Sequence, residues 1–276
     1  MSHHQNNSIP PLLRGLIDDA AVFPPGNAAL EDALTGHREH RNAWYSALVG
    51  PLLLPSSKLP LVAGIEGTLR VGLIADTGVE AVSDVLSQLP AGVEITHVEA
   101  RADDENSLKR LVSASMSWGL RVFAEIPVTA ELPQLLQTLG PTRITPKFRT
   151  GGETADKFPA PRALAAAIVG CAEQGLSFKL TAGLHRAVRH TDADTGFTHH
   201  GFGNVLVAAA DADGGASVES VTATLTVTES APLGDRIRGM LTHPRPLWVG
   251  FGSCSIAEPL EDLNALSLVY EESKQQ

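Results

Sequence analysis

Cysteine is scarce in this chain: only Cys171 and Cys254 occur in 276 residues. Two thiols cannot build the disulfide framework of a small secreted protein, and they fit a reducing cytoplasm. Positive charge is also short. Lys and Arg number 21 against 31 Asp and Glu, a formal charge of −10. Nucleic acid and anionic membrane surfaces are therefore not expected partners, although a local basic pocket is compatible with that balance. No apolar run reaches the ~18 residues of a membrane span without a charge or a turn former. The opening MSHHQNNSIPP lacks the basic-then-apolar order of a secretory signal, so a cytoplasmic protein is expected. Low-complexity blocks, charge runs, short repeats and a central linker are all missing. So are a GxGxxG after an early strand and a GxxxxGK(S/T), the usual dinucleotide and phosphate-loop signals.

What is present is enough apolar sequence for a sizeable core: hydrophobic residues make up 43% and charged residues 19%. Short β-rich runs alternate with helix-like stretches. Strands are predicted at Ser46–Pro55, Leu69–Ala75, Glu94–Ala100, Arg121–Val128, Arg143–Arg149, Ser177–Ala182 and Leu247–Ser253, with an extra one at the Val/Thr-rich Ser220–Val227. Helices are predicted at Thr77–Leu89, Asn106–Trp118 and Pro161–Gln174, the last opening on a proline. Seven or eight strands interleaved with helices fit an α/β fold of the (β/α)8 TIM barrel type, with a doubly wound open sheet as the runner-up. One domain over 1–276 is expected, with short flexible tails at about 1–9 and 272–276.

In such a barrel the C-terminal strand ends build the site. Lys147 in PKFRTGG and Lys179 in SFKLTAGLHR lie near two such ends, as do Glu99 and Glu125, while Asp18 and Asp19 follow the apolar LLRGLI. Lysines pointing into the barrel from adjacent strands would depress one amine's pKa and make it a nucleophile for carbonyls. Lysines that reach solvent, or pair with Glu99 or Glu125, are the alternative. The flanking TGG and TAG allow close backbone approach. Arg149, two residues past Lys147, shares its face. It either binds a substrate carboxylate or phosphate or pairs with a neighbouring carboxylate. Thr150 is grouped with it as a substrate-binding candidate. Between His185 and His200 lie four histidines and two aspartates, in no named metal-ligand spacing; a solvated loop is the plainer reading. His185 stands apart because it follows the TAG. Cys254 has no partner assigned by sequence and reads as a buried thiol.

Four motifs in order carry a resemblance: LIDDAAVFPPGNAALEDA at 16–33, PKFRTGG at 146–152, FKLTAGLHR at 178–186 and VGFGSCSI at 249–256. The chain resembles the class I aldolases of the deoxyribose-phosphate aldolase type, a (β/α)8 barrel family. The first motif is similar to the family's opening helix, the next two to its lysine-bearing strands, and the last to its phosphate-binding turn. The resemblance implies that Lys147 is the Schiff-base lysine and Lys179 its pKa-lowering partner. It also makes Asp18 a proton-relay candidate, and Gly252 and Ser253 anion-binding candidates.

The chain departs from the family at several positions. Thr96 stands where the family has a catalytic aspartate, and Glu99 could replace it only if the strand register slips by one, so that His97 and Glu99 both face the site. Arg149 replaces a small residue, and His185 falls where the family has arginine. The expected function is a Schiff-base aldolase-like lyase acting on a small anionic carbonyl compound, without cofactor or metal and with homo-oligomerisation left open. Alternatives are an isomerase or decarboxylase that stabilises an enolate, with or without a metal at His185 and His200, and a non-catalytic barrel that binds an anionic metabolite.

Overall fold

The computed structural model describes residues 9–271. Eight parallel strands close into a barrel. They are β1 (Ile17–Asp19), β2 (Val49–Pro55), β3 (Leu69–Ile74), β4 (Val93–Arg101), β5 (Arg121–Glu125), β6 (Ile144–Arg149), β7 (Phe178–Thr181) and β10 (Trp248–Ser253). A small antiparallel hairpin, β8 (His190–Thr191) with β9 (Thr198–His199), lies between β7 and β10. Around the barrel the strands follow chain order, and β10 closes it against β1. This is the predicted (β/α)8 class, and the open-sheet alternative is excluded.

The helices fall between the strands: α1 (Leu30–Asn42), α2 (Val82–Ser87), α3 (Glu105–Ser115), α4 (Leu132–Leu139) and α5 (Pro161–Glu173). Three more, α6 (Phe202–Asp213), α7 (Val218–Leu225) and α8 (Ser230–Met240), fill the long β7–β10 connection, and α9 (Ala257–Ala265) follows β10. No helix among the described residues is long and apolar enough to cross a membrane.

Three expectations are corrected. The Val/Thr-rich Ser220–Val227 is helical, not extended. Ser217 caps α7 by accepting the Ser220 amide, and Val221 and Leu225, one turn apart, are fully buried. Packing of an apolar stripe outweighs a weak β preference. The segment resembling an opening helix instead supplies β1, with α1 starting only at Leu30. Three residues with no alternating pattern could not be read as a strand. Lastly, Ile9 is buried in the core, so the expected N-terminal tail is at least one residue shorter. The rest of both expected tails lies outside the described residues.

Strand alternation divides the barrel into two layers. Leu52, Leu54, Val71, Leu73, Val98, Val122, Phe148, Leu180 and Phe251 are buried in the apolar core. On the β6–β7–β10 side the aromatic series Phe148, Phe178, Trp248, Phe251 and Phe202 runs with successive ring centroids 5.6–6.5 Å apart, tying the wall to α6. The alternate residues include His97, Glu99, Lys147 and Lys179, all buried, with Glu99 in contact with each of the other three inside the barrel.

Candidate active site

Lys147 and Lys179 are register partners on β6 and β7. Beyond them the backbones of the two loops meet. A Cβ on Gly151 would lie 2.7 Å from the Gly183 Cα, and one on Gly183 would lie 2.8 Å from the Thr150 carbonyl. The TGG and TAG glycines thus allow the close approach expected of them.

Glu99 reaches the barrel interior through an irregularity in β4. Val71 pairs with Ile95, but the next residue, Gly72, pairs with His97. Thr96 is the extra residue, and its hydroxyl donates to the Val71 carbonyl at 3.0 Å. A bulge of this kind re-aims the side chains that follow it. It is the one-residue slip that puts His97 and Glu99 on the same inner face. Gly72 makes room for it, since a Cβ there would sit 2.5 Å from His97 Nε2.

The ionised groups form a single chain of alternating sign. Asp18 accepts from Lys179, and the Lys179 Nζ also donates to Glu99 Oε1 at 2.6 Å. The other glutamate oxygen, Oε2, accepts from Lys147 at 2.6 Å. Lys147 continues to Glu125 at 2.8 Å, and Glu125 to Arg149 at 2.9 Å. Three carboxylates thus offset three cations. The series runs from Asp18, beside buried Lys179, to half-exposed Arg149, whose side chain is 44% accessible. Lys179 also lies 4.7 Å from the Phe123 ring centroid, and the same ring meets His97 edge-on.

This arrangement reverses one expectation. Lys147 was to have its pKa lowered by Lys179. Burial does pull the Lys147 ammonium down, but Glu99 and Glu125 outweigh burial and hold it above its ordinary value. Burial likewise pushes Glu99 up, and Lys147 with Lys179 brings it well below the usual carboxylate range. Glu125 is lowered in the same way by Lys147 and Arg149. A shared carboxylate between two ammoniums cancels the like-charge repulsion on which the expectation rested.

The remaining candidates divide. Asp18, Glu99, Lys147, Lys179 and Arg149 come together. Thr150 is fully buried and spends its hydroxyl on the Ala182 carbonyl at 2.6 Å. Ser253 turns its hydroxyl to the Ser255 carbonyl at 2.7 Å. Gly252 pairs with Asp18 on one side and Thr181 on the other, in the wall beside the centre. His185 lies away from the lysines, with Nδ1 2.7 Å from Glu258.

Sequence reasoning put Glu125 near a strand end but not in the site, brought His97 to the site only through the register slip and not as a functional residue, and left out Phe123. Alternation along RVFAE, which puts Arg121, Phe123 and Glu125 on one face, would have found two of the three. The ligand-type side chains that converge among the described residues are Asp18, His97 and Glu99, not the histidine-rich segment. The Lys179 ammonium sits among these three, 3.4 Å from His97 Nε2, so a metal ion there would have to displace it. Comparison of the chain with protein-family models, with curated proteins and with solved structures gives no match.

Proposed function

We propose that the chain is a Schiff-base lyase of aldolase type, acting on a small carbonyl compound that bears a carboxylate or phosphate. The observation that supports it is the buried, register-matched lysine pair held on opposite oxygens of Glu99. In this reading the Lys147 amine attacks the carbonyl and water leaves. The resulting iminium is cationic at the place the ammonium occupied, so Glu99 and Glu125 stabilise it as they stabilised the ammonium. The iminium draws electrons from the adjacent C–C bond to form an enamine, while Glu99 or a water held by Asp18 takes the β-hydroxyl proton and an aldehyde leaves. Lys179, beside it, is the proton donor that returns the enamine carbon to an iminium, which water then hydrolyses. Arg149, partly open to solvent, offers its guanidinium to the anionic group of the substrate.

The cost of this arrangement falls on deprotonating Lys147. Because its pKa is raised, adduct formation should climb about tenfold per pH unit through neutrality, without levelling off below the ordinary lysine value of ~10.4. The test is borohydride trapping with a panel of aldehydes and keto acids, read by intact mass across pH. A wild-type adduct that is lost in Lys147→Ala supports the reading, and an adduct unchanged in that variant overturns it. Glu125→Gln, which removes one carboxylate that raises Lys147, should shift the labelling curve to lower pH.

The same raised Lys147 favours a second reading, in which both ammoniums stay charged and stabilise an enolate without a covalent bond. That reading expects no borohydride adduct, but exchange of deuterium into the carbon next to a substrate carbonyl.

A further inference from the structure

A second set of side chains stands at the same end of the barrel and takes no part in the lysine centre. Cys254 directly follows β10, and His185 lies four residues beyond the end of β7, the neighbouring strand. The Cys254 Sγ is 3.9 Å from His185 Nε2, within hydrogen-bond reach for sulfur. The opposite ring nitrogen, His185 Nδ1, is 2.7 Å from Glu258 Oε2 on the first turn of α9. Cys254 is partly accessible, whereas Cys171 is buried in α5. Nucleophile, base and orienting carboxylate are thus in line, the arrangement that defines a triad whatever the chain order or fold.

We infer that Cys254, His185 and Glu258 form a thiol acyl-transfer site, which takes an activated acyl compound such as an ester or thioester. The Cys254 sulfur attacks the acyl carbonyl carbon, and His185 Nε2 takes the thiol proton. The C–S bond forms, the bond from the carbonyl carbon to the alkoxide or thiolate leaving group breaks, and His185 returns the proton to that group. Water then attacks the thioester, His185 again moves the proton, and the thiol is restored with release of the acid. No electron acceptor is needed. Glu258 fixes the imidazole with Nδ1–H toward the carboxylate, so that Nε2 faces the sulfur. The Cys254 contact raises the His185 pKa most, with Glu258 adding to it against burial. The imidazole therefore holds a proton more readily than a free histidine.

The histidine–carboxylate pair selects this chemistry. A thiol that served only for packing, or only as a target of oxidation, needs no imidazole aimed at its sulfur by a third group. The site is independent of the proposed lysine chemistry.

The experiment uses the full chain and p-nitrophenyl acetate, with release of nitrophenol followed by absorbance and the acetyl group located by peptide mass mapping. A burst of about one equivalent with the acetyl on Cys254 is expected, lost in Cys254→Ala. His185→Asn should slow it at least about tenfold. Glu258→Gln should slow it less, with Glu258→Asp restoring most of the loss. Acetylation confined to lysines, or an equal burst in Cys254→Ala, overturns the proposal. A second measurement needs no variant of the thiol. Iodoacetamide on native protein should modify Cys254 and leave Cys171, whose thiol burial pushes up to about 12. If His185→Asn alkylates at the wild-type rate, His185 does not activate the sulfur and the proposal fails.

Discussion

The lysine centre and the histidine-rich segment after β7 both gather ionisable side chains, yet only the centre joins them into one continuous network. In the centre, Asp18, Lys179, Glu99, Lys147, Glu125 and Arg149 come from five strands and form one continuous series of contacts. In the segment the histidines fall into separate contacts. His185 meets Glu258, His190 stacks on His199 across the β8–β9 hairpin, and His199 bonds the Gly183 carbonyl. His200 donates Nε2–H to the Pro159 carbonyl. Asp192 ties its own turn to Thr195. The difference lies in the backbone. A closed barrel sends every second residue of each strand to a common axis, so groups distant in sequence must meet there. A loop has no common axis, so its polar side chains find separate partners, His199 and His200 on backbone carbonyls and His185 on the Glu258 carboxylate.

The largest expected effect tests whether the centre holds together as a unit. Glu99 is buried and bridges both lysines. Glu99→Ala leaves two ammoniums with one carboxylate fewer, and removing one partner of a buried ion pair costs about 3–5 kcal/mol. Urea denaturation should show a loss of that size. Asp192→Ala in the segment, whose carboxylate is open to solvent, should leave the midpoint where it is. Equal small shifts in both variants would mean that the central charges are solvated and that the contrast is false.

Acid and alkali divide the two regions further. The Glu99 and Glu125 carboxyls are depressed in the folded chain. Their stabilisation is therefore present above the unfolded value of ~4.3 and is lost as pH falls through the folded values. Lys147 is raised, so its contribution is present below ~10.4 and is lost as pH rises through its folded value. His200 acts in between. Burial lowers its pKa to about 4, against the Pro159 carbonyl that raises it. Below the ordinary value of ~6.5 the unfolded chain takes up the proton more readily, so stability falls with pH over that window, by about 3 kcal/mol by pH 4. His200→Gln should flatten the slope between pH 6.5 and 4 while leaving the alkaline limb unchanged, as read from denaturation midpoints at each pH. An unaltered slope would show that His200 is not held neutral by the fold.

The fold was legible because seven of the eight barrel strands are four to nine residues long, enough for their apolar content to be read, and their alternation with helices has few architectural solutions. β1 was not legible, since three residues have no periodicity. Lys147 and Lys179 could be placed at the site because each lies inside an apolar run, where a charge has only one tolerable direction. Two other features were beyond the sequence. The neutralisation of the lysines depends on which carboxylates face them across the barrel, which register decides and composition does not. The partner of Cys254 comes from residues 69 positions away in sequence, brought beside it by the pairing of β7 with β10.

The smallest expected effect falls on the bulge in β4 that turns Glu99 into the converging centre. Thr96 is the residue that does not fit the β3–β4 ladder, and its hydroxyl bonds both the Val71 carbonyl and His97 Nδ1, each at 3.0 Å. Thr96→Val keeps the branched shape and removes both bonds. One such bond contributes about 1 kcal/mol, so the bulge should persist and the protein lose 1–2 kcal/mol in urea, roughly. The alkaline limb set by Lys147 should stay where it is, because Glu99 still faces inward. If the strand instead returns to regular register, every side chain beyond the bulge changes face. Glu99 would then leave the lysines, and Thr96→Val would resemble Glu99→Ala in both its stability loss and its alkaline behaviour. That outcome would make the threonine hydroxyl, rather than the packing of His97 into the space at Gly72, the feature that aims Glu99 into the barrel.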